Sequence, residues 1–140
     1  MEILHLSIAG LPAFATHLIA SLLLLALFLL IYIYVTPYRE IQLIRQGNSA
    51  AAVSLSGAML GYAFPLAYSS AQSVNLADMI LWGAIALVTQ LAVYGVVRIV
   101  RIFMIPDISS AIQEGKVAQG MFLGALSLAT GLLNAGCMTY

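Results

Sequence analysis

Charged residues are scarce in this chain of 140 residues: five acidic and five basic side chains make up 7% of it, and they cancel to a formal net charge of zero. Hydrophobic residues make up 63%, and the mean hydropathy is +1.05. A water-soluble domain of this composition would expose large apolar patches. Without a positive excess, the chain also lacks the field that draws proteins to nucleic acid. The composition therefore predicts a membrane protein whose main partner is the lipid bilayer.

Enzyme signatures are also missing from the sequence. There is no glycine-rich phosphate loop, no pair of histidines at metal-binding spacing, and no Ser, His and Asp set at a plausible common depth. The single cysteine, Cys137, excludes an internal disulfide. We therefore expect neither enzymatic activity nor a cofactor or metal.

Long apolar runs dominate what remains. A transmembrane helix needs about 20 predominantly apolar residues, and residues 11–35, 51–68, 79–100 and 117–138 all qualify. A cleavable signal peptide is the alternative for the first run, but no basic segment precedes it and its apolar part is too long. The sequence therefore predicts four membrane spans.

All basic residues lie in two short stretches, residues 36–50 and 98–116, into which the first and third spans lead. They are Arg39, Arg45, Arg98, Arg101 and Lys116. Cytoplasmic loops hold an excess of Lys and Arg, whereas residues 1–10, 69–78 and 137–140 contain none. We expect the five cations to anchor the cytoplasmic side and both termini to face outward.

The two basic segments share a pattern that a plain loop would not need. Each has a proline near its start and a glycine about ten residues later, namely Pro37 and Gly47, then Pro106 and Gly115. Proline suits a first helical position and glycine a left-handed stop. Isoleucines between them recur at helical spacing, so each segment is predicted to hold a short interfacial helix. These helices either dock a cytoplasmic partner or anionic lipid, or only turn the chain.

The order of span, connector and span occurs twice, at about residues 11–70 and 78–140 of a single membrane domain. The residues that recur are Ile44, Gly47 and Ala50 in the first unit and Ile112, Gly115 and Ala118 in the second. Because each unit holds two spans, both units would point the same way across the membrane. This predicts a parallel internal repeat.

Small residues form a stripe on each of the second and fourth spans. The stripe residues are Ser54, Gly57 and Gly61 in the second span and Gly120, Gly124, Ser127 and Gly131 in the fourth. Lipid tails provide no hydrophobic drive for helix pairing, so helices pair by close backbone approach at such GxxxG patterns. We predict helix packing there, either within one bundle or at a seam between subunits.

A few polar side chains are placed at membrane depth, where an unpartnered group costs several kcal/mol. Gln90 lies near the middle of the third span, Asn134 in the fourth and Tyr62 in the second. These side chains either hold helices together by hydrogen bonds or line a polar path. No span has a carboxylate at its centre, which argues against a proton- or sodium-coupled transporter.

Short motifs in collinear order give the chain a family resemblance. They are Thr36-Pro37, Gln42-Leu43-Ile44, Ser56-Gly57, Leu60-Gly61-Tyr62, Pro65-Leu66, Trp82-Gly83, Ala86-Leu87-Val88, Gln90-Leu91, Gly120-Met121-Phe122, Gly131, Asn134-Ala135 and Cys137-Met138-Thr139. Over nearly its whole length the chain resembles the YjfL-like family of small bacterial inner-membrane proteins of unknown function. The resemblance implies an inner-membrane protein with four spans in two copies of a two-helix unit, and it supplies no activity.

The fold expected is all-α: a polytopic membrane protein with four transmembrane helices as two repeated helical hairpins and short cytoplasmic interfacial helices. One possible function is a structural or interaction protein that forms a homo-oligomer or docks a small membrane partner. The other is an oligomeric channel or transport component in which Gln90, Asn134 and Tyr62 face a shared pore. We favour the first, because one bundle of 14.9 kDa has little room for an aqueous path.

Overall fold

The computed structural model describes residues 2–104 and 107–138, and this part of the chain forms six helices. They are α1 (Glu2–Val35), α2 (Glu40–Arg45), α3 (Ser49–Gln72), α4 (Leu76–Met104), α5 (Ile108–Gln113) and α6 (Val117–Cys137). Within the described residues, α1, α3, α4 and α6 are long and apolar enough to cross a membrane. The predicted all-α polytopic fold with four spans is confirmed.

Three of the spanning helices extend beyond the apolar runs that predicted them, and α3 does so by ending at Gln72 rather than near residue 68. α1 begins at Glu2 rather than near residue 11, and α4 continues to Met104. The 34 residues of α1 measure about 51 Å at 1.5 Å per residue, against about 30 Å of hydrocarbon. α1 must therefore tilt or project into the water layer. Hydropathy marks only the part of a helix that lies in lipid, which is why it missed these ends.

The two short helices occur in the predicted connectors and end as predicted. Gly47 has φ +83° and Gly115 has φ +79°, the left-handed stop that glycine adopts without strain. The expectation for Pro37 is wrong: α2 begins at Glu40 with Arg39 as its N-cap, so Pro37 lies in the preceding bend. Pro106 lies outside the described residues.

α3 and α6 form the central pair of the bundle. Both helices begin at the end that holds α2 and α5, so they run parallel, with Ala50 against Gly120 and Gly61 against Gly131. α4 packs against both helices, and α1 packs against α3 and α4. The main core is rich in aromatic side chains: Phe28 stacks on Tyr62 with ring centroids 4.7 Å apart.

One end of the bundle gathers the described basic side chains, and we name it the basic end. Arg39, Arg45, Arg98 and Lys116 are all exposed there. Asn48 joins the two connectors at this end, because its Oδ1 accepts from the Ala51 amide to cap α3 while its Nδ2 donates to the Ile112 carbonyl at 2.7 Å. Arg101 lies on the last part of α4, and its side chain lies outside the described part of the structure.

The repeat predicted from the sequence corresponds to α1–α3 and α4–α6. Each unit consists of a spanning helix, a six-residue helix and a second spanning helix. The second spanning helices of the two units are the parallel pair α3 and α6. The internal repeat itself stays a prediction.

Candidate functional site

The glycines of α3 and α6 lie where the two backbones meet. A Cβ atom on Gly57 would overlap the Gly124 backbone, and one on Gly131 would overlap the backbone of Gly61. A Cβ on Gly120 would likewise overlap the Ala50 backbone. Only glycine permits this approach, so the structure places the two predicted stripes against each other within one chain.

The side chain of Gln90, a residue of α4, is buried against α6. Its Nε2 donates to the Ser127 carbonyl at 2.9 Å, while its Oε1 has no hydrogen-bond partner among the described residues. Beside it lies a cavity of about 10 Å³, lined in part by Tyr32, Tyr94 and Thr130. A space of this size is close to the minimum for one water molecule. The cavity is therefore far too small for an aqueous path.

The other two predicted polar residues also bind neighbouring helices. Tyr62 donates its hydroxyl hydrogen to the Gly83 carbonyl at 3.0 Å, and Asn134 donates from Nδ2 to the Ala86 carbonyl at 3.2 Å. Ser69, which the sequence analysis did not single out, donates to the Met79 carbonyl at 2.9 Å. All three acceptors are on α4, so these bonds attach α4 to α3 and α6.

The predicted cationic anchors lie apart from these buried groups. Lys116 pairs with the Glu114 carboxylate at 2.7 Å, and this neighbour raises the pKa of Lys116. Both side chains are more than half exposed, and such surface pairs add little stability. Arg98 donates to the Val35 carbonyl at 3.4 Å, which links the ends of α4 and α1.

An open cleft of about 410 Å³ separates α1 from α3 at the end opposite the basic end. We name it the distal cleft, and the residues that line it include Phe14, His17, Ser21, Leu66, Ala67 and Ser70. Three of these carry polar groups: Ser70, His17, whose Nδ1 lies 2.8 Å from the Ala13 carbonyl, and Ser21, which donates to the His17 carbonyl at 2.8 Å. This cleft could not be predicted from the sequence, because both helices are apolar around most of their circumference.

Glu40 is the most unusual side chain at the basic end, and it was not among the residues predicted from the sequence. It is 0% exposed, its Oε2 lies 3.5 Å from the Thr36 hydroxyl, and the Tyr38 side chain also interacts with the carboxyl. Burial raises the pKa of Glu40 to about 7. A comparison of the two units could have found it, because Glu40 is the first residue of α2 whereas the first residue of α5 is the apolar Ile108.

Comparison with known proteins places the chain in a family. Residues 5–138 match the family described as Domain of Unknown Function (DUF350). The chain belongs to this family. Its relatives include the UPF0719 inner membrane protein YjfL of Escherichia coli strain K12, 40% identical over 131 residues that cover 94% of this chain and 96% of the relative. The YjfL protein of Escherichia coli O157:H7 matches equally well.

A more distant member of the family is the UPF0719 transmembrane protein YshE of Bacillus subtilis strain 168. It is 35% identical over 80 residues, which cover 57% of this chain and 60% of the relative. No solved structure matches the chain. The predicted family is confirmed, and with four spanning helices the protein is a multi-pass inner-membrane protein.

Proposed function

We propose that this DUF350 protein is a self-associating structural or interaction protein, and that the distal cleft receives a second copy of the chain. The observation that carries the proposal is the cleft itself: a space of about 410 Å³ at membrane depth with His17, Ser21 and Ser70 among its lining residues. His17 and Ser21 bond to backbone carbonyls within α1, and a helix of a second copy would cover these groups together with the apolar residues of the cleft.

The uneven burial of the spans supports the same surface. Only 11% of the most apolar stretch of α1 is buried, against 50% for α3. α1 is therefore the least buried of the four described spans, and it has the most surface available for contact with another copy. A small membrane partner of different sequence would use the same surface, and the composition of the purified assembly distinguishes the two.

The bonding of the deep polar residues favours this function over a conduit. Gln90, Asn134 and Tyr62 each donate to a backbone carbonyl of a neighbouring helix in the same chain. The glycine stripes are likewise filled within the chain. A pore between subunits would have to be lined by other residues, and a seam between subunits would have to use a surface other than the stripes.

We also propose an orientation of the bundle in the membrane. The exposed cations Arg39, Arg45, Arg98 and Lys116 lie at one end of the bundle. Because basic residues are retained on the cytoplasmic side, we infer that the basic end is cytoplasmic. An even number of spans then leaves both termini in the periplasm.

A bulky side chain in the distal cleft tests the proposed contact. Ser70→Trp should lower the fraction of assembled chains, because the indole occupies the space that the second copy needs. Leu133→Trp is the matched control, since Leu133 is 72% exposed on α6 and does not line the cleft. The measurement is the mass distribution of complexes extracted with their native lipid. An unchanged distribution for Ser70→Trp, at normal expression, contradicts the proposal.

A further inference from the structure

Glu40 occupies a position that its counterpart in the second unit fills with an apolar side chain. It is the first residue of α2, as Ile108 is of α5, and both helices are six residues long and stop at a left-handed glycine. Glu40 is 0% exposed and Ile108 is 1% exposed. The fold therefore accepts a neutral side chain at this position, and an ionised carboxylate is costly there.

The polar groups around the carboxyl give the ionised form little compensation. The Thr36 hydroxyl has one hydrogen, and the Ile33 carbonyl competes for it at 3.1 Å while Glu40 Oε2 is 3.5 Å away. Tyr38 also interacts with the carboxyl through its side chain. Oε1 has no hydrogen-bond partner among the described residues.

Among the side chains that the structure describes, the neighbouring elements offer Glu40 hydroxyls rather than cations. Tyr32 of α1 interacts with Glu40, and it also interacts with Ser54 of α3 and Tyr94 of α4. From α5 and α6, the apolar Ile108, Ile112 and Leu123 pack with Tyr38. Arg39 and Arg45 of the α2 region are exposed, and in the described part of the chain neither forms a salt bridge with Glu40.

A groove connects this region to the water layer at the basic end. It has a volume of about 600 Å³, and its lining residues include Thr36, Tyr38, Glu40 and both arginines of the α2 region. Protons in that water layer can therefore reach the hydroxyls that surround the buried carboxyl.

We propose that Glu40, together with the Thr36 and Tyr38 hydroxyls, is a proton-binding site that exchanges with the water layer at the basic end. The reaction is the addition of one proton to the carboxylate, and no other bond changes. Burial outweighs the hydroxyl contacts and raises the pKa of Glu40 to about 7, so the site is half-occupied near neutral pH.

Infrared spectroscopy of the full-length protein in lipid vesicles tests the site directly. A band from a protonated carboxyl should decrease as the pH rises, with a midpoint near 7, and Glu40→Gln should abolish it. Glu114→Gln is the matched control, because this carboxyl lies in the second connector and is exposed; the variant should retain the band. If the wild type shows no carboxyl band that titrates above pH 5.5, the proposal is overturned.

Two further outcomes keep the test decisive. Glu40→Ile should fold with an unchanged helical circular-dichroism spectrum at pH 6 and at pH 8, since the equivalent position in the second unit holds isoleucine. A midpoint that shifts with the concentration of Na⁺ or K⁺ would show a metal cation competing for the carboxylate, and would overturn a site specific for protons. Neither result depends on self-association.

Discussion

At the residue scale, the helices are held together within the membrane by side chains that donate hydrogen bonds to backbone carbonyls of neighbouring helices. The depth of Gln90, Asn134 and Tyr62 in the membrane could be predicted from the sequence, because the distance of each residue from the ends of its apolar run is known. Their partners could not be predicted, since a partner depends on the rotation of each helix about its own axis. The burial of Glu40 was missed for a different reason: a carboxylate in a surface helix ordinarily indicates a solvated face.

The raised pKa of Glu40 predicts how the stability depends on pH. The native carboxyl binds its proton more tightly than the unfolded one, so its stabilising contribution is complete below the unfolded pKa of 4.5 and is lost as the pH rises through about 7. Over that interval the free energy of unfolding should fall by up to about 3 kcal/mol, at 1.36 kcal/mol for each unit of pKa shift. Unfolding in detergent micelles at pH 5 and pH 8 measures this fall.

Two variants isolate Glu40 from the other groups that titrate in the same range. Glu40→Ile should remove most of the pH dependence, whereas Glu114→Gln should keep the wild-type slope because its carboxyl is exposed. Equal slopes in wild type and Glu40→Ile would refute the assignment to Glu40.

At the element scale, the parallel pair α3 and α6 is the part of the fold that the sequence predicted best. Glycine and serine at helical spacing indicate a close approach between backbones whatever the partner helix is. The pattern could not decide between a partner in the same chain and one in another subunit, because both satisfy the same steric rule. The ends of α1 and α4 were also beyond prediction, since a helix in water past the lipid needs no hydropathy signal.

Gly131 and Gly136 form a matched pair of positions on α6. Gly131→Ala should lower the free energy of unfolding by about 1–3 kcal/mol, because its Cβ would overlap the Gly61 backbone and force the helices apart. Gly136→Ala should be neutral or stabilising by up to about 1 kcal/mol, since nothing lies within 4 Å of its Cβ and alanine favours a helix.

The two alanine variants should leave the mass of the assembly unchanged, because the contact is within one chain. Unfolding in micelles and a mass measurement together check both expectations. A loss of assembled chains in Gly131→Ala at wild-type stability would instead assign the stripe to a subunit interface.

At the scale of the whole molecule, an even number of spans and a single basic end define the arrangement in the membrane. The positions of the charges and the hydropathy were enough to predict four spans and to predict that the two connectors lie at the same end of the bundle. The distal cleft was beyond such reasoning, because it depends on how the side chains of α1 and α3 pack against each other. Packing geometry of this kind is not encoded in the composition of either helix.

The single native cysteine, Cys137, provides a labelling site that tests the orientation of the protein in the membrane. Cys137 is exposed at the end of α6, so a membrane-impermeant maleimide should label it in spheroplasts if the termini are periplasmic. In a Cys137→Ser background, Gln46→Cys should react only after permeabilisation, because Gln46 is exposed at the basic end. The reverse pattern would place the basic end in the periplasm.

Counting subunits in native lipid tests the proposed function most directly. The wild-type protein, excised from the membrane in polymer-bounded lipid discs without detergent, should be present as complexes of two or more identical chains, because a second copy occupies the distal cleft. Discs that contain one chain each, at the expression level of the native protein, would contradict self-association.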